Sequence, residues 1–180
     1  HPYNLGLEHF AELVSERTNG AVEIDIFPNS ALGDERANIE DLQMGTLDIA
    51  VSSTGPLGNF VSDFLILDLP FLFKDYDHAH AVLDGEIGQN LLAKLDDIGV
   101  VGGAFWENGF REMTNSKHPI KAPADLKGLK MRTNGMKTID MTFQAMGATT
   151  TTIPYSDLYM GLKTGVADGQ ENPWVNAHVP

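Results

Sequence analysis

Residues Pro123–Arg132, PADLKGLKMR, decide how the rest of the chain is read. They pattern as one helical turn, a stop, and a strand that delivers an arginine to a loop. Pro123 suits the first helical position, where its missing N–H costs nothing. Asp125 places a carboxylate in the first turn, on the side the helix dipole favours. Lys127 closes the turn, and Gly128 supplies a left-handed cap. Leu129-Lys130-Met131-Arg132 then alternates apolar and cationic side chains, the period of a half-buried strand. Thr133-Asn134-Gly135 ends the strand with turn chemistry. In open α/β sheets ligands gather at the carboxyl ends of strands, where Arg132 lands. On these ten residues alone, Arg132 is either a surface strand residue or the anchor of an anion site.

The flanking sequence repeats the same short units. Leu7, Phe10, Ala11 and Val14 mark one face of a helix ending at Asn19-Gly20. Val22, Ile24 and Ile26 alternate with Glu23 and Asp25 as a strand closed by Pro28-Asn29-Ser30. Asp34 caps a helix running to Met44, with Gly45 beyond it, and Asp48–Ser53 reads as a short strand. Phe64–Phe73 reads as a strand or extended segment interrupted at Pro70. Helices over Asp77–Leu83 and Ile87–Leu95 flank Gly85. Val100–Trp106 is a further strand, running into Glu107-Asn108-Gly109. Beyond the opening stretch come a helix near Lys137–Met146 and a strand near Thr149–Ile153. A helix from Ser156 to Thr164 follows, then a strand near Ala167–Gln170. Such alternation predicts an α/β fold with parallel pairing. Leu42–Asp48 and Leu162–Asp168 share the pattern LxxGxxD, consistent with any helix–glycine–strand joint or with two similarly built lobes.

The 180 residues are enough to bury a real core, and the 42% apolar and 21% charged content is that of a globular chain. A formal charge of −13 argues against nucleic acid and anionic membrane surfaces as partners. With no cysteine there is neither a disulfide framework nor a cysteine zinc site. No apolar run approaches the roughly 20 residues that span a bilayer, so no direct membrane insertion is expected. His78 and His80 are two apart and diverge on a helix, so they form no metal pair. No nucleophile elbow or phosphate-cradling glycine loop is present.

Two blocks carry a resemblance. Pro123–Arg132 resembles the PxDLKGLKxR signature of the DctP family, the extracytoplasmic solute-binding proteins of tripartite ATP-independent periplasmic (TRAP) transporters. Leu162–Pro173, LKTGVADGQENP, resembles the family's LxTGxxDGQENP. The resemblance implies an α/β, two-lobe, periplasmic-binding-protein-like fold with a ligand cleft between the lobes. Residues 1–111 would be mostly the first lobe and 112–180 the start of the second. The chain reads as a fragment, with the first strand and the C-terminal part missing, and as exported, its signal peptide absent. The implied function is periplasmic capture of a small anionic organic acid, a C4-dicarboxylate or a sugar acid such as a uronate, and delivery to a membrane permease. No cofactor, metal or catalytic residue is implied.

The resemblance also assigns residues. Arg132 matches the arginine that holds the ligand carboxylate through two parallel hydrogen bonds, a task its planar fork suits. Arg111 follows the aromatic-rich Phe105–Phe110 and matches a second binding arginine. Asn172 matches the asparagine of the GQENP block, and Tyr155 an aromatic that packs on the ligand. Glu35 and Ser53 correspond to first-lobe positions at the ligand's polar end, and Trp106 could line the cleft or belong to a core. An acidic residue found near Ser53 in certain sialic-acid binders is absent, which disfavours that sugar acid. The reading from another class is an α/β hydrolase or isomerase acting on a carboxylated substrate.

Overall fold

The computed structural model describes residues 2–177, so the outer limits of the expected lobes, His1 and Pro180, lie outside the described residues. Helix α1 (Pro2–Arg17) ends where Asn19 and Gly20 take positive φ of 52° and 76°. Helix α2 (Glu35–Met44) begins at Asp34, whose carboxylate accepts from the Ala37 N–H at 2.9 Å, and stops at Gly45 with φ 70°. These are the capping roles expected of those residues. One helical turn, α3 (Thr54–Leu57), leads to a 3-10 helix over Ser62–Asp68. Helices α4 (Tyr76–Leu83) and α5 (Glu86–Ala93) follow, with a 3-10 extension over Lys94–Ile98.

The sheet lies in the second half. Its strands are β1 (Arg111–Asn115), β2 (Lys130–Thr133), β3 (Thr149–Thr152) and β4 (Gly169–Pro173), in the spatial order β1-β4-β2-β3. Strand β2 runs parallel to β3 and β4, and β1 pairs antiparallel to β4 with Glu112 opposite Asn172. Helix α6 (Lys137–Ala145) makes the β2–β3 crossover; α7 (Leu158–Lys163) precedes β4 and α8 (Trp174–Ala177) follows it. The expected turn before β2 is a 3-10 helix over Pro123–Leu126, and Gly128 has φ 81°. Arg132 stands one residue from the carboxyl end of β2, between Thr151 and Gln170 in the ladder.

Several expected strands do not form. Residues 22–26, 48–53 and 100–106 join no sheet among the described residues. An alternating pattern reports which side chains face a core, whereas a strand also needs a ladder partner for its backbone groups. Phe64–Phe73 is not a strand: its first half closes into the 3-10 helix, with Phe64 fully buried, and Phe71 turns back at φ 61°. Conversely, β1 was expected as loop. Its residues Arg-Glu-Met-Thr-Asn carry no clean alternation, and pairing with β4 sets their conformation. The LxxGxxD echo is likewise local. Gly45 and Gly165 both take left-handed φ, but only the second joint feeds a paired strand.

Two apolar clusters support these elements. Val61, Phe64, Leu91, Leu92 and Leu95 form one, under α5 and the 3-10 helix. Leu126, Leu129, Met131, Phe143 and Ala148 form the other, between α6 and the sheet. Leu126 is completely buried. Truncation of such a residue removes transfer energy and leaves a cavity. Leu126→Ala is therefore expected to lower unfolding stability by about 2–5 kcal/mol. Asp34→Ala, which removes only a cap, should cost about 1 kcal/mol. Urea titration followed by circular dichroism separates the two.

Candidate ligand site

Strand β4, Gly-Gln-Glu-Asn-Pro, is buried at all five positions although three of them are polar. Burial of polar side chains is tolerable only when each is hydrogen-bonded. Gln170 Nε2 donates to Thr114 Oγ1 at 3.1 Å, and Asn172 Nδ2 donates to Gln170 Oε1 at 2.5 Å. Glu171 receives Arg111: Nε donates to Oε2, and Nη2 donates to Oε1 at 2.9 Å and to the Glu171 carbonyl at 3.0 Å. The same Nη2 donates to Asn172 Oδ1 at 3.2 Å. Burial works against the charge of Arg111, but the hydrogen bonds and charge of Glu171, helped by Asp68 and Tyr3, outweigh it and hold its pKa above the ordinary value.

Arg132 is treated differently. It is 2% exposed, and its Nε donates to the Ile153 carbonyl at 2.7 Å. No described residue forms a hydrogen bond or ion pair with its terminal nitrogens. Burial pushes its pKa down; the like charge of Arg111 adds to this, against the attraction of Glu171 and Glu35. A guanidinium stays charged through such a shift. The result is a buried cationic fork at the end of β2 with its two prongs unbonded.

The first half of the chain contributes to the same region. Glu35, in the first turn of α2, accepts from the Ser53 backbone N–H through Oε1 at 2.6 Å, which ties the start of α2 to the start of α3. Thr54 Oγ1 donates to Asp68 Oδ1 at 3.2 Å, while the buried Asp68 Oδ2 has no hydrogen-bond partner. Burial pushes the Asp68 pKa up to about 6, with the Thr54 hydrogen bond and Arg111 opposing and Glu171 adding to the rise. Burial similarly raises Tyr3, on α1, to about 12, and Glu35, Arg111 and Tyr155 all act on it.

The structure thus brings Arg132, Arg111, Asn172 and Glu35 into one neighbourhood, with Ser53 held by Glu35. Tyr155 stands at its rim, 42% exposed, its Oη donating to the Asn176 carbonyl at 3.3 Å, and the charge of Arg132 acts on it. Trp106 is placed elsewhere: its ring meets Phe10 edge-on at 6.1 Å and lies over Gly6, both on α1. Glu171, Asp68, Thr54 and Tyr3 were not singled out from sequence. Glu171 sits inside the GQENP block, and the need of a buried arginine for a counter-charge is the signal that could have found it.

With this geometry in place, the comparisons define the class as a bacterial solute-binding protein. The chain belongs to the DctP family, "Bacterial extracellular solute-binding protein, family 7", which it matches over residues 1–179. It is 41% identical over 170 residues to the 2,3-diketo-L-gulonate-binding periplasmic protein YiaO of Escherichia coli (strain K12), covering 94% of this chain and 52% of that protein. A TRAP periplasmic solute-binding protein from Polaromonas sp. JS666, solved bound to D-erythronate, is 47% identical with a TM-score of 0.92, covering 95% of this chain and 56% of that one. Another, from Sulfurospirillum deleyianum DSM 6946 with bound succinate, is 38% identical with a TM-score of 0.94, covering 98% and 57%. The fold is therefore the mixed α/β fold of TRAP solute-binding proteins. The chain spans about half the length of the curated relatives it matches. These relatives are binding proteins, not enzymes, and among the described residues no helix is long and apolar enough to cross a membrane.

Two consequences of the buried charges can be measured. Glu171→Gln leaves the Arg111 guanidinium without its counter-charge, so unfolding stability is expected to drop by about 3–5 kcal/mol. Asp68 has a folded pKa of about 6 against an ordinary 3.8. The folded state therefore binds the extra proton, and the contribution of this group falls as pH rises from near 4 through 6. Asp68→Asn should flatten that fall in urea unfolding measured across the same range. An unchanged pH slope in the variant would show that Asp68 is not its source.

Proposed function

We propose that this chain is the greater part of the ligand site of a periplasmic TRAP binding protein, one that captures a small organic acid and delivers it to a membrane permease. Residues 1–111 would belong mostly to the first lobe and 112–180 to the start of the second, the sheet beginning at Arg111 itself. The observation that carries the reading is Arg132, buried to 2% exposure with its terminal nitrogens unbonded by any described residue. A planar fork in that state matches a carboxylate through two parallel hydrogen bonds, which a lysine could not reproduce. Arg111 is spoken for by Glu171, so its part is to orient Asn172 and hold positive charge nearby.

The ligand class follows from charge and from the relatives. The site combines a free cationic fork with acceptors and neutral donors from Glu35, Asn172 and Tyr155, a set suited to a carboxylate with further oxygens along its length. The relatives named above bind D-erythronate, succinate or 2,3-diketo-L-gulonate, all organic acids. A C4-dicarboxylate or a sugar acid such as a uronate is the proposed solute. The periplasm is the proposed location, by kinship with YiaO.

A thermal-shift screen of organic acids on the complete protein tests the class, since a ligand at 100 times its Kd stabilises the native state by about 2.7 kcal/mol. Calorimetric titration then tests the anchor. Arg132→Ala strands a desolvated carboxylate and should cost about 3–5 kcal/mol, roughly a hundredfold to several thousandfold in Kd. Arg132→Lys keeps the charge without the fork and should weaken binding by less. Arg17→Ala, at the end of α1, is the control. If neutral sugars or amines stabilise the protein and no acid does, the carboxylate reading is wrong. An Arg132→Ala variant binding within about threefold of wild type would move the anchor elsewhere.

A further inference from the structure

The turn that follows Arg132 is rigid, and it presents one large apolar side chain. Thr133 Oγ1 donates to Asp140 Oδ1 at 2.7 Å, which locks the end of β2 to the first turn of α6. Gly135 takes a left-handed φ of 84° against Thr152, and no side chain tolerates that conformation readily. Met136 comes next, just before α6, and is 2% exposed. It is the residue through which this turn meets the first half of the chain.

What it meets is a glycine. A Cβ built on Gly55 would fall inside the van der Waals envelope of Met136 Sδ, Cγ and Cε, the last at 2.8 Å. Gly55 is buried in α3 and directly follows Ser53-Thr54, the pair bonded to Glu35 and to Asp68. Close by, the 3-10 helix that carries Asp68 packs on α6. The Met136–Gly55 contact therefore sits where the polar segment of the first half meets the turn that carries Arg132. Nothing local requires glycine at position 55: it has an ordinary helical setting, and helix propensity by itself favours alanine there. The requirement comes from across the contact.

We propose that Met136 is a positioning residue, a knob seated in the side-chain-free notch at Gly55 that fixes the Ser53–Thr54–Asp68 segment over the carboxyl end of β2. It touches no solute. It acts by holding the two walls of the site in register, so the contact sets how long a bound acid is retained. This inference rests on the two-lobe reading given above.

The test uses the complete protein with D-erythronate as probe, or succinate if D-erythronate does not bind. Gly55→Ala fills the notch and should raise Kd by at least about tenfold, mostly through faster dissociation, because interface changes act chiefly on that rate. Met136→Ala in the same chain clears the clash, so the double variant should bind more tightly than Gly55→Ala alone. Melting temperatures without ligand supply a second cycle, in which the double variant should lose less than the sum of the two single losses. Strictly additive melting losses, or a Gly55→Ala protein that binds within about threefold of wild type, would overturn the proposal. If wild type binds neither acid, the solute reading fails instead, and the melting cycle alone decides the role of Met136.

Discussion

Two guanidinium groups buried at one end of a four-stranded sheet constrain the rest of this molecule. Taking a charge out of water costs several kcal/mol even after relaxation, so each buried cation must be answered by a carboxylate or by directed hydrogen bonds. Arg111 is answered within the fold, by Glu171 across the β1–β4 pair and by the side chain of Asn172. Arg132 is answered only in part, by one backbone carbonyl and by the more distant charges of Glu171 and Glu35. The asymmetry divides the labour between two residues of the same type. One arginine is structural capital of the site, and the other keeps its fork for an anion.

Strand β4 makes that division possible. A strand flanked on both sides has its backbone satisfied by the ladder, which frees its side chains to bond one another. Gln170, Glu171 and Asn172 use this freedom to form a closed polar set with Thr114 and Arg111. Inside a protein such a set is stiff when complete and costly when broken, because each stranded group forfeits its solvation. Pairing with β1 and β2 thus converts an apparently soluble sequence, GQENP, into a rigid wall beside Arg132. Asp68 shows the opposite case. Its second oxygen is buried without a partner, and the raised pKa is the measure of that cost.

The net charge of −13 gives the positive end of the sheet its meaning. An acidic surface repels anions at long range, although salt screens this beyond about 8–10 Å. Selective uptake of an acid then depends on charge fixed inside the site, not on the overall field. Burial of Arg132 serves this, since a cation in a low-dielectric wall acts on a bound carboxylate far more strongly than one in water.

The sequence by itself determined the features that depend on a few neighbouring residues. The cap at Asp34, the helix stops at Gly45 and Gly128, and the short strand that carries Arg132 all follow from backbone preferences and hydrogen bonds within one turn. The two long blocks also made the family legible, and with it most of the residues grouped around Arg132. Only the tertiary structure decided which extended segments are strands: residues 22–26, 48–53 and 100–106 show the alternation yet find no ladder, while Arg111–Asn115 lacks it and pairs. It alone decided the partner of Arg111, sixty residues away in Glu171, and set Trp106 on α1. The reason is range: propensity and capping act over about four residues, whereas ladders, counter-charges and knobs in notches join segments that meet only after the chain has folded.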